Sequence, residues 1–327
     1  MPLPATFTMN NGLTIPTVGL GTWQSKPSEV KKAVEAALGV GYRHIDAAAC
    51  YDNEKEVGDG IKASGVNRKD IFLTSKLWNT HHRAEDVERQ LDASLVDLQT
   101  GYVDLYLIHW PVAFRRVDET ERFPINKETF LLDIIDVPLT ATWTAMEALV
   151  KKGKAKSIGV SNFSIQNLER VWDADEIKPV VNQVELHPYF QQQELQDWCK
   201  QKNILLEAYS PLGNNIYSLP KGVDDPEVAS LALKLGKTPA QVILSWVLQR
   251  GIVFLTKSVT PSRIEQNLQV SELPTLEFER MGSLDRKIRY NFPVRYGVDI
   301  FGDATSGVME KAVEEFRTKQ KQLRGVA

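Results

Sequence analysis

The stretch Val103-Asp-Leu-Tyr-Leu-Ile-His109 combines a short apolar run with an ionisable residue at its carboxyl end. A run of this length and composition is typical of a buried strand. Amphipathic stretches with apolar residues at helical spacing lie on both sides of it, Arg83 to Leu98 before and Leu139 to Lys151 after. Because a buried strand between two helices is typical of a parallel sheet, this part of the chain predicts an α/β fold.

The same unit recurs along the whole chain. Seven further apolar runs share its character: Val18-Gly-Leu-Gly-Thr22, His44-Ile-Asp-Ala-Ala48, Ile71-Phe-Leu-Thr-Ser-Lys76, Ser157-Ile-Gly-Val-Ser161, Val180-Val-Asn-Gln-Val-Glu-Leu186, Ile204-Leu-Leu-Glu-Ala-Tyr209 and Ile252-Val-Phe-Leu-Thr256. Further helical stretches lie between them: Pro27 to Leu38, Ile165 to Trp172 and Gln191 to Lys200. Eight β/α units favour a (β/α)₈ TIM barrel over an open doubly wound sheet. With no linker-like segment between them, we predict one domain over residues 1–327, its barrel covering about 6–275.

Composition and charge limit the possible functions. The 327 residues are 43% hydrophobic and 25% charged, as in a soluble globular protein. The net charge of -3 offers no basic field to nucleic acid or anionic lipid. Cys50 and Cys199, without a Cys-x-x-Cys pair, argue against disulfides and structural zinc. Since neither a signal segment nor an apolar span is visible, we expect a cytoplasmic protein without nucleic-acid or membrane partners and without a metal.

Two segments exceed the barrel pattern. Residues 111–138 form a long charged insertion after the fourth strand, and residues 276–327 form a C-terminal loop and tail. Long loops in compact domains are often functional lids. We therefore expect lids at 111–138 and 288–303. For the last twenty or so residues, which include the helical stretch Val308 to Leu323, we expect a peripheral helix or a frayed tail.

Polar side chains gather where the predicted strands end. They are Asp46, Lys76, His109, Ser161, Asn162, Gln183, Lys257 and Ser258. A TIM barrel brings these ends to one face, where its active sites lie. For Ser161, Asn162 and Gln183, each taken singly, a structural role is almost as good an explanation as a functional one. Such side chains can cap a helix or hydrogen-bond a buried backbone group. Burial of Asp46, Lys76 and His109 together is costly unless the three groups pair or react.

Tyr51, five residues after Asp46, is a candidate proton donor, and Asp46 and Lys76 are the candidate groups that set its pKa. A tyrosine hydroxyl with a pKa near 10 is a poor acid at neutral pH. An ammonium group that a carboxylate holds nearby stabilises the phenolate and lowers that pKa. We therefore expect Lys76, held by Asp46, to lower the pKa of Tyr51, and His109 to orient a carbonyl group.

Seven phrases resemble, in order, the motifs of the aldo-keto reductase family: Gly19-Leu-Gly-Thr-Trp23, Asp46-Ala-Ala-Ala-Cys-Tyr51, Thr74-Ser-Lys-Leu-Trp78, Asp104-Leu-Tyr-Leu-Ile-His-Trp-Pro111, Gly159-Val-Ser-Asn-Phe163, Asn182-Gln-Val-Glu-Leu-His-Pro188 and Lys257-Ser-Val-Thr-Pro261. The resemblance implies a barrel closed at its base by an N-terminal hairpin, here Phe7 to Ile15, and NADPH bound without a Rossmann fold. It also implies the catalytic tetrad Asp46, Tyr51, Lys76 and His109. The chain has no Gly-x-Gly-x-x-Gly turn after a strand, which agrees.

The same resemblance implies the cofactor contacts. Ser161, Asn162 and Gln183 would hold the nicotinamide carboxamide, and Tyr209 would stack on the ring. The pyrophosphate would lie at Ser210, Leu212 and the loop that follows. The adenosine 2′-phosphate would lie among Lys257, Ser258, Val259, Thr260, Arg263 and Asn267. Cations beside a hydroxyl at a strand-to-helix turn form an anion site, although a solvated basic turn is the alternative for Lys257 and Arg263.

The sequence gives fewer signals for the substrate pocket than for the catalytic residues. The resemblance implies that Trp23, Trp78 and Trp110 line it, and Cys50 would face the pocket or the core. Arg115, Arg116, Arg122 and Arg295 either offer a charge to an acidic substrate or are solvated. The pair His81-His82 is typical of an exposed helix start. The stretch Ile288-Arg-Tyr-Asn-Phe-Pro293 is similar to the tail of fungal sugar and polyol members of the family.

The predicted protein is an NADPH-dependent aldehyde or aldose reductase. It would reduce a small carbonyl substrate such as glyceraldehyde or xylose and, in reverse, oxidise a polyol such as glycerol. A reductase dedicated to one ketone of secondary metabolism and a non-catalytic barrel subunit that binds NADPH are the alternatives. We expect a monomer, with a dimer as the alternative.

Overall fold

The computed structural model describes residues 3–26, 28–173, 176–213, 220–291, 293, 296–302 and 306–325. The strands are β1 (Thr6–Thr8), β2 (Thr14–Pro16), β3 (Val18–Gly21), β4 (His44–Asp46), β5 (Phe72–Leu77), β6 (Val103–Ile108), β7 (Ala113–Phe114), β8 (Ile134–Ile135), β9 (Ala155–Ser161), β10 (Val181–Glu185), β11 (Leu205–Tyr209) and β12 (Val253–Thr256). The helices are α1 (Glu29–Gly39), α2 (Glu54–Ser64), α3 (Ala84–Asp97), α4 (Leu139–Lys151), α5 (Ile165–Trp172), α6 (Gln193–Gln201), α7 (Pro226–Leu235), α8 (Pro239–Gln249), α9 (Pro261–Asn267), α10 (Thr275–Gly282) and α11 (Ser306–Leu323).

Eight parallel strands close into a barrel in the order β3-β4-β5-β6-β9-β10-β11-β12, and β12 pairs with β3. Every residue of β5 and β6 is buried, because the barrel interior covers one face of each strand and the helices cover the other. The predicted TIM barrel is confirmed. The predicted bounds of the helices Leu139–Lys151 and Ile165–Trp172 coincide with those of α4 and α5.

An N-terminal hairpin closes the base of the barrel. β1 and β2 pair antiparallel, with Phe7 opposite Ile15, where the resemblance placed the hairpin. Ile15 and the neighbouring Met9 are buried in an apolar cluster with Leu105, Leu107 and other strand residues that face the interior. Burial of this apolar surface holds the hairpin across the end of the barrel that is opposite the carboxyl ends of the strands.

Local sequence signals set the ends of the helices. Thr238 caps α8, since its hydroxyl accepts a hydrogen bond from the backbone N–H of Gln241 while the Gln241 side chain accepts one from the backbone of Thr238. Asp225 caps α7, which ends at Gly236 with a φ of 63°. Such caps satisfy backbone groups that a helix leaves unpaired. The helices are thereby fixed in length against the barrel wall.

The insertion 111–138 and the C-terminal residues pack on each other above the strand ends. β7 and β8 of the insertion form a short antiparallel pair. The last residues form the helix α11, so the alternative of a peripheral helix, rather than a frayed tail, is confirmed. Phe316 of α11 packs against the apolar cluster that contains Leu132 of the insertion, and Arg317 Nε donates to the carbonyl oxygen of Thr129 at 3.3 Å.

No helix within the described ranges is both long and apolar enough to cross a membrane.

Candidate active site

The carboxyl ends of β4, β5 and β6 bring together three ionisable side chains. Lys76 Nζ donates to Asp46 Oδ1 at 2.6 Å and to the carbonyl oxygen of Ala47 at 3.0 Å. The Tyr51 hydroxyl, from the short helical turn Ala49–Tyr51, lies 3.5 Å from Lys76 Nζ. The ring of His109 contacts the ring of Tyr51, with centroids 5.7 Å apart. We call Asp46, Tyr51, Lys76 and His109 the floor of the site.

Burial decides the protonation states of the floor. Burial, and next the negative charge of Asp46, raise the pKa of Tyr51 well above its usual value. The expectation of a lowered pKa for Tyr51 is therefore wrong, because loss of solvation dominates and the charge of Asp46 acts in the same direction. Burial and the charge of Lys76 lower the pKa of His109 well below its usual value. At neutral pH the floor thus holds a protonated phenol and a neutral imidazole.

The thiol of Cys50 orients His109. Its Sγ lies 3.5 Å from His109 Nδ1. Burial raises the pKa of the Cys50 thiol, so the thiol stays protonated and can donate a hydrogen bond to Nδ1. In the tautomer in which Nδ1 accepts this hydrogen bond, Nε2 carries the N–H of the neutral ring. His109 can therefore donate one hydrogen bond to an oxygen above the floor.

A cavity of about 660 Å³ opens above the floor. Most of the predicted site residues line it together: Trp23, Asp46, Tyr51, Trp78, His109, Trp110, Ser161, Asn162, Gln183, Tyr209, Ser210, Leu212 and Lys257. Cys50 lines it too, one of the two places expected for it. Lys76 lies beneath, fully buried. Five predicted residues do not line the cavity but lie in the turn after β12 and in α9: Ser258, Val259, Thr260, Arg263 and Asn267.

Polar side chains of β9, β10 and β11 tie the strand ends to one another. Asn162, in the left-handed region with a φ of 63°, donates from Nδ2 to the carbonyl oxygen of His109 at 2.9 Å. Tyr209 donates from its hydroxyl to Asn162 Oδ1 at 2.7 Å. Ser161 donates from Oγ to the carbonyl oxygen of Gln183 at 2.8 Å. These bonds hold the side of the cavity opposite Trp78 in one arrangement.

Comparison with known proteins agrees with this geometry. Residues 17–289 match the model of the aldo/keto reductase family. The chain belongs to this family. The aldo/keto reductase is therefore an oxidoreductase, and its floor has the four residue types that the motifs implied.

Curated relatives match nearly the whole reductase. It is 47% identical over 317 residues to aldo-keto reductase family 1 member A1-A of Danio rerio, covering 92% of this chain and 97% of that one. It is 44% identical over 313 residues to the D/L-glyceraldehyde reductase of Hypocrea jecorina, covering 90% and 94%. The solved aldose reductase of Schistosoma japonicum superposes with a TM-score of 0.86 at 38% identity, covering 92% and 99%.

Residues that the sequence did not single out complete the upper part of the reductase cavity. Phe123 of the insertion packs edge-on against Trp78, with centroids 5.3 Å apart, and Tyr296 packs against Trp110 at 6.0 Å. Asn291 and Pro293 also line the cavity. We call the insertion 111–138, the described residues of the segment 288–302 and α11 the rim. Phe123 and Tyr296 lie in the two segments that we expected to be lids, and Asn291 and Pro293 lie in the tail motif, but the sequence gave none of the four a place in the pocket.

Glu185, at the end of β10, anchors the C-terminal part of the rim to the barrel. Its carboxylate accepts hydrogen bonds from the backbone N–H groups of Tyr290 and Asn291, both at 2.6 Å. His187 bonds the same carboxylate at 2.9 Å and stacks on the Tyr290 ring. His187 therefore has a structural role here, and Glu185 was not foreseen from the sequence.

Other expectations about polar residues are corrected. His81 and His82 are buried rather than exposed, because the insertion covers the turn Asn79–His81 that holds them. Three arginines pair outside the cavity: Arg115 with Asp133, Arg116 with Asp86 and Glu119, and Arg122 with Asp52. Arg295 and the loop residues 214–219 lie outside the described residues. Within the described part of the chain no group of side chains is suited to hold a metal ion.

Proposed function

We propose that this reductase uses NADPH to reduce aldehydes and aldoses, such as glyceraldehyde and xylose, to alcohols, and that it oxidises polyols such as glycerol in reverse. The arrangement of the floor carries the proposal: a protonated tyrosine, a paired lysine and a neutral histidine meet at the bottom of one cavity. The relatives named aldose reductase and D/L-glyceraldehyde reductase support this substrate class.

The residues present fit a dinucleotide. From the floor, the cavity lining continues along Tyr209 to Gly213 and reaches Lys257, which is exposed at the far side. Tyr209 lines the cavity and is partly exposed, which agrees with a ring that stacks on the nicotinamide. Ser161, Asn162 and Gln183 present polar atoms beside it. When bound, the nicotinamide supplies a hydride to the carbonyl carbon.

The floor supplies the rest of the reaction. Tyr51 donates its proton to the carbonyl oxygen, so that hydride and proton together give the alcohol. Lys76, 3.5 Å from the hydroxyl, stabilises the negative charge that develops on Tyr51, and Asp46 holds Lys76 in place. His109 Nε2 orients the carbonyl oxygen. A positioned general acid of this kind typically contributes about 10² to 10⁴ in rate.

The turn after β12 supports the preference for NADPH. Lys257 and Arg263 are both exposed, and Lys257 Nζ lies 3.3 Å from the carbonyl oxygen of Gln24. Ser258 accepts a hydrogen bond from the backbone N–H of Thr260, which shapes the turn between them. Val259 and Asn267 pack behind these residues. Two cations at such a turn favour a 2′-phosphate over a 2′-hydroxyl.

The upper cavity favours uncharged substrates. Aromatic side chains dominate it: Trp23, Trp78, Trp110, Phe123 and Tyr296. Lys257 supplies the one charge above the floor among the described lining residues. Since the three arginines with described partners pair elsewhere, a substrate carboxylate gains no ion pair from them. We therefore rank glyceraldehyde and xylose above uronates.

The test is a panel of glyceraldehyde, xylose, glucuronate, glycerol and simple ketones, each assayed with NADPH or NADP⁺ and with the NADH pair. We expect aldehyde-dependent loss of NADPH absorbance, slower turnover with NADH, and alkaline oxidation of glycerol. Turnover of one ketone alone would favour the dedicated ketone reductase. NADPH binding without any turnover would favour the non-catalytic barrel. A cytoplasmic location, a monomeric state and a single domain belong to the same proposal.

A further inference from the structure

The barrel interior beneath the cavity holds a carboxyl group that the proposed reaction does not use. Glu207, in β11, is fully buried. Its Oε2 accepts a hydrogen bond from Gln183 Nε2 at 2.8 Å. The same amide nitrogen donates to Asp46 Oδ2 at 2.9 Å. Gln183 therefore connects Glu207 to the Asp46–Lys76 ion pair of the floor.

These two contacts determine which way the Gln183 amide faces. A side-chain amide has two hydrogens on nitrogen and an acceptor oxygen, and the network around it decides the orientation. Because carboxyl oxygens of Asp46 and Glu207 both lie at the nitrogen, both hydrogens point into the barrel. The carbonyl oxygen Oε1 is left toward the cavity, which Gln183 lines. Among the described residues, no side chain or backbone N–H donates to it.

The surroundings of Glu207 keep it neutral. Burial, and next the negative charge of Asp46, raise the pKa of Glu207 to about 8, while burial lowers the pKa of His44 to about 4. His44 Nδ1 lies 3.3 Å from the carbonyl oxygen of Pro16, so Nδ1 carries the proton and Nε2 is an acceptor. Glu207 Oε1 lies 3.5 Å from that Nε2. Among the described residues, Glu207 Oε1 has no hydrogen-bond partner, and Thr74 Oγ1 donates to His44 Nε2 at 3.2 Å. Gln183 is therefore the described hydrogen-bond partner of the Glu207 carboxyl group, through Oε2.

Space for this arrangement is part of the fold. A Cβ on Gly19, in β3, would lie 3.0 Å from His44 Nδ1 and 2.5 Å from a methyl carbon of Leu255. Glycine at this position leaves the His44 ring room to stand between the hairpin and Glu207. The contact of His44 with Pro16 and the contact of Glu207 with Gln183 are therefore both made from fixed strand positions.

We propose that Glu207 is a positioning residue for the cofactor: it holds the Gln183 NH₂ group inward, so that Gln183 presents an acceptor oxygen to the carboxamide N–H of the nicotinamide. The proposal rests on the proposed function, since it takes NADPH as the ligand. Glu207 itself does not touch the cofactor. Its effect should therefore appear in binding of the nicotinamide half and not in binding of the adenosine half.

Three variants test this role. Glu207→Leu removes the acceptor at similar volume. Glu207→Gln restores it, because the new amide can present its oxygen to the Gln183 NH₂ group. Glu147→Leu is the matched control: Glu147, on α4, is another buried glutamate, and it accepts from the backbone N–H of Ile177 at 2.6 Å. Circular dichroism and thermal melting verify folding, and Glu207→Met replaces the leucine variant if that one does not fold.

Dissociation constants are measured by fluorescence or calorimetry for NADPH and for 2′-phospho-ADP-ribose, which lacks the nicotinamide. Loss of one neutral hydrogen bond predicts that Glu207→Leu weakens NADPH about three- to tenfold. Binding of the fragment should change less than about twofold, Glu207→Gln should recover most of the affinity, and Glu147→Leu should resemble the parent. Equal weakening of both ligands would overturn the proposal, since it indicates a general structural role. No change in NADPH binding would overturn it as well.

An analogue whose carboxamide is replaced by an acetyl group sharpens the test. The analogue has no N–H to donate, so the parent should bind it more weakly than NADPH, and Glu207→Leu should weaken it no further. Additive losses would show that Glu207 acts elsewhere. Failure of the parent to bind NADPH at all would instead contradict the proposed function, so the two failures are distinguishable.

Discussion

The floor and the rim of the cavity are built in different ways. Floor side chains lie at or just beyond the ends of three neighbouring strands, and backbone pairing fixes their spacing, as between Asp46 and Thr74 of adjacent strands. The rim is assembled from segments far apart in the chain, such as Phe123 and Phe316, which share one groove. The comparison indicates that the chemistry is set by strand register, whereas substrate selection depends on long-range packing.

The largest effect on activity is expected from a substitution that removes the proton donor of the floor. Tyr51→Phe should lower kcat for glyceraldehyde reduction by about 10² to 10⁴, because general acid catalysis is lost while the ring remains. The dissociation constant of NADPH, measured by fluorescence titration, should stay within about twofold. A variant that reduces aldehydes within a few-fold of the parent would show that the floor is not the reacting centre.

The next largest effect is expected at the side of the cavity that Lys257 lines, which contains residues of neither the floor nor the rim. Lys257→Met and Arg263→Ala should each weaken NADPH about ten- to a hundredfold, since a hydrogen bond to a charged group contributes about 1.5 to 3 kcal/mol. NADH has no 2′-phosphate and should be nearly unaffected. Titration of both cofactors separates the cases, and equal losses would point to a folding defect near β12.

A smaller effect is expected from the rim. Phe316→Ala should raise KM for aldehydes about two- to fivefold with kcat unchanged, because loosened packing on the insertion reduces substrate binding in the ground and transition states alike. Leu323→Ala, an exposed change on the same helix, is the control. Deletion of residues 304–327 should behave like Phe316→Ala, whereas deletion of 288–327 should also alter substrate preference. A large loss of kcat in Phe316→Ala would mean that floor and rim are mechanically coupled.

The smallest expected effect is that of pH on the floor. Tyr51, with its raised pKa, loses its proton only in strong alkali, and His109, with its lowered pKa, gains one only in acid. The reductive kcat should therefore vary less than about twofold from roughly pH 5.5 to 7.5, since neither group changes its protonation state there. A steady-state profile with an inflection near pH 6.5 would contradict the neutral His109.

The same division explains what could be predicted from the sequence. Asp46, Lys76 and His109 stand at strand ends, where spacing alone indicates convergence, and the motifs add Tyr51. The pKa shift of Tyr51 was predicted in the wrong direction, because the depth of its burial is not visible in the sequence. His81 and His82 were misplaced for a similar reason: His81 lies 3.4 Å from Glu119 of the insertion, a contact across 38 positions. The sequence gave one signal for Glu207 only: it is an acidic residue inside the apolar run Ile204 to Tyr209.

The hairpin β1–β2 has a consequence for the order of events in turnover. Since it covers the base of the barrel, the floor is reached only from the cavity at the carboxyl ends of the strands. Two molecules that react there cannot enter from opposite sides. Under the proposed function, the cofactor along Tyr209 and Gln183 would lie deeper than the substrate, so it would arrive first and leave last.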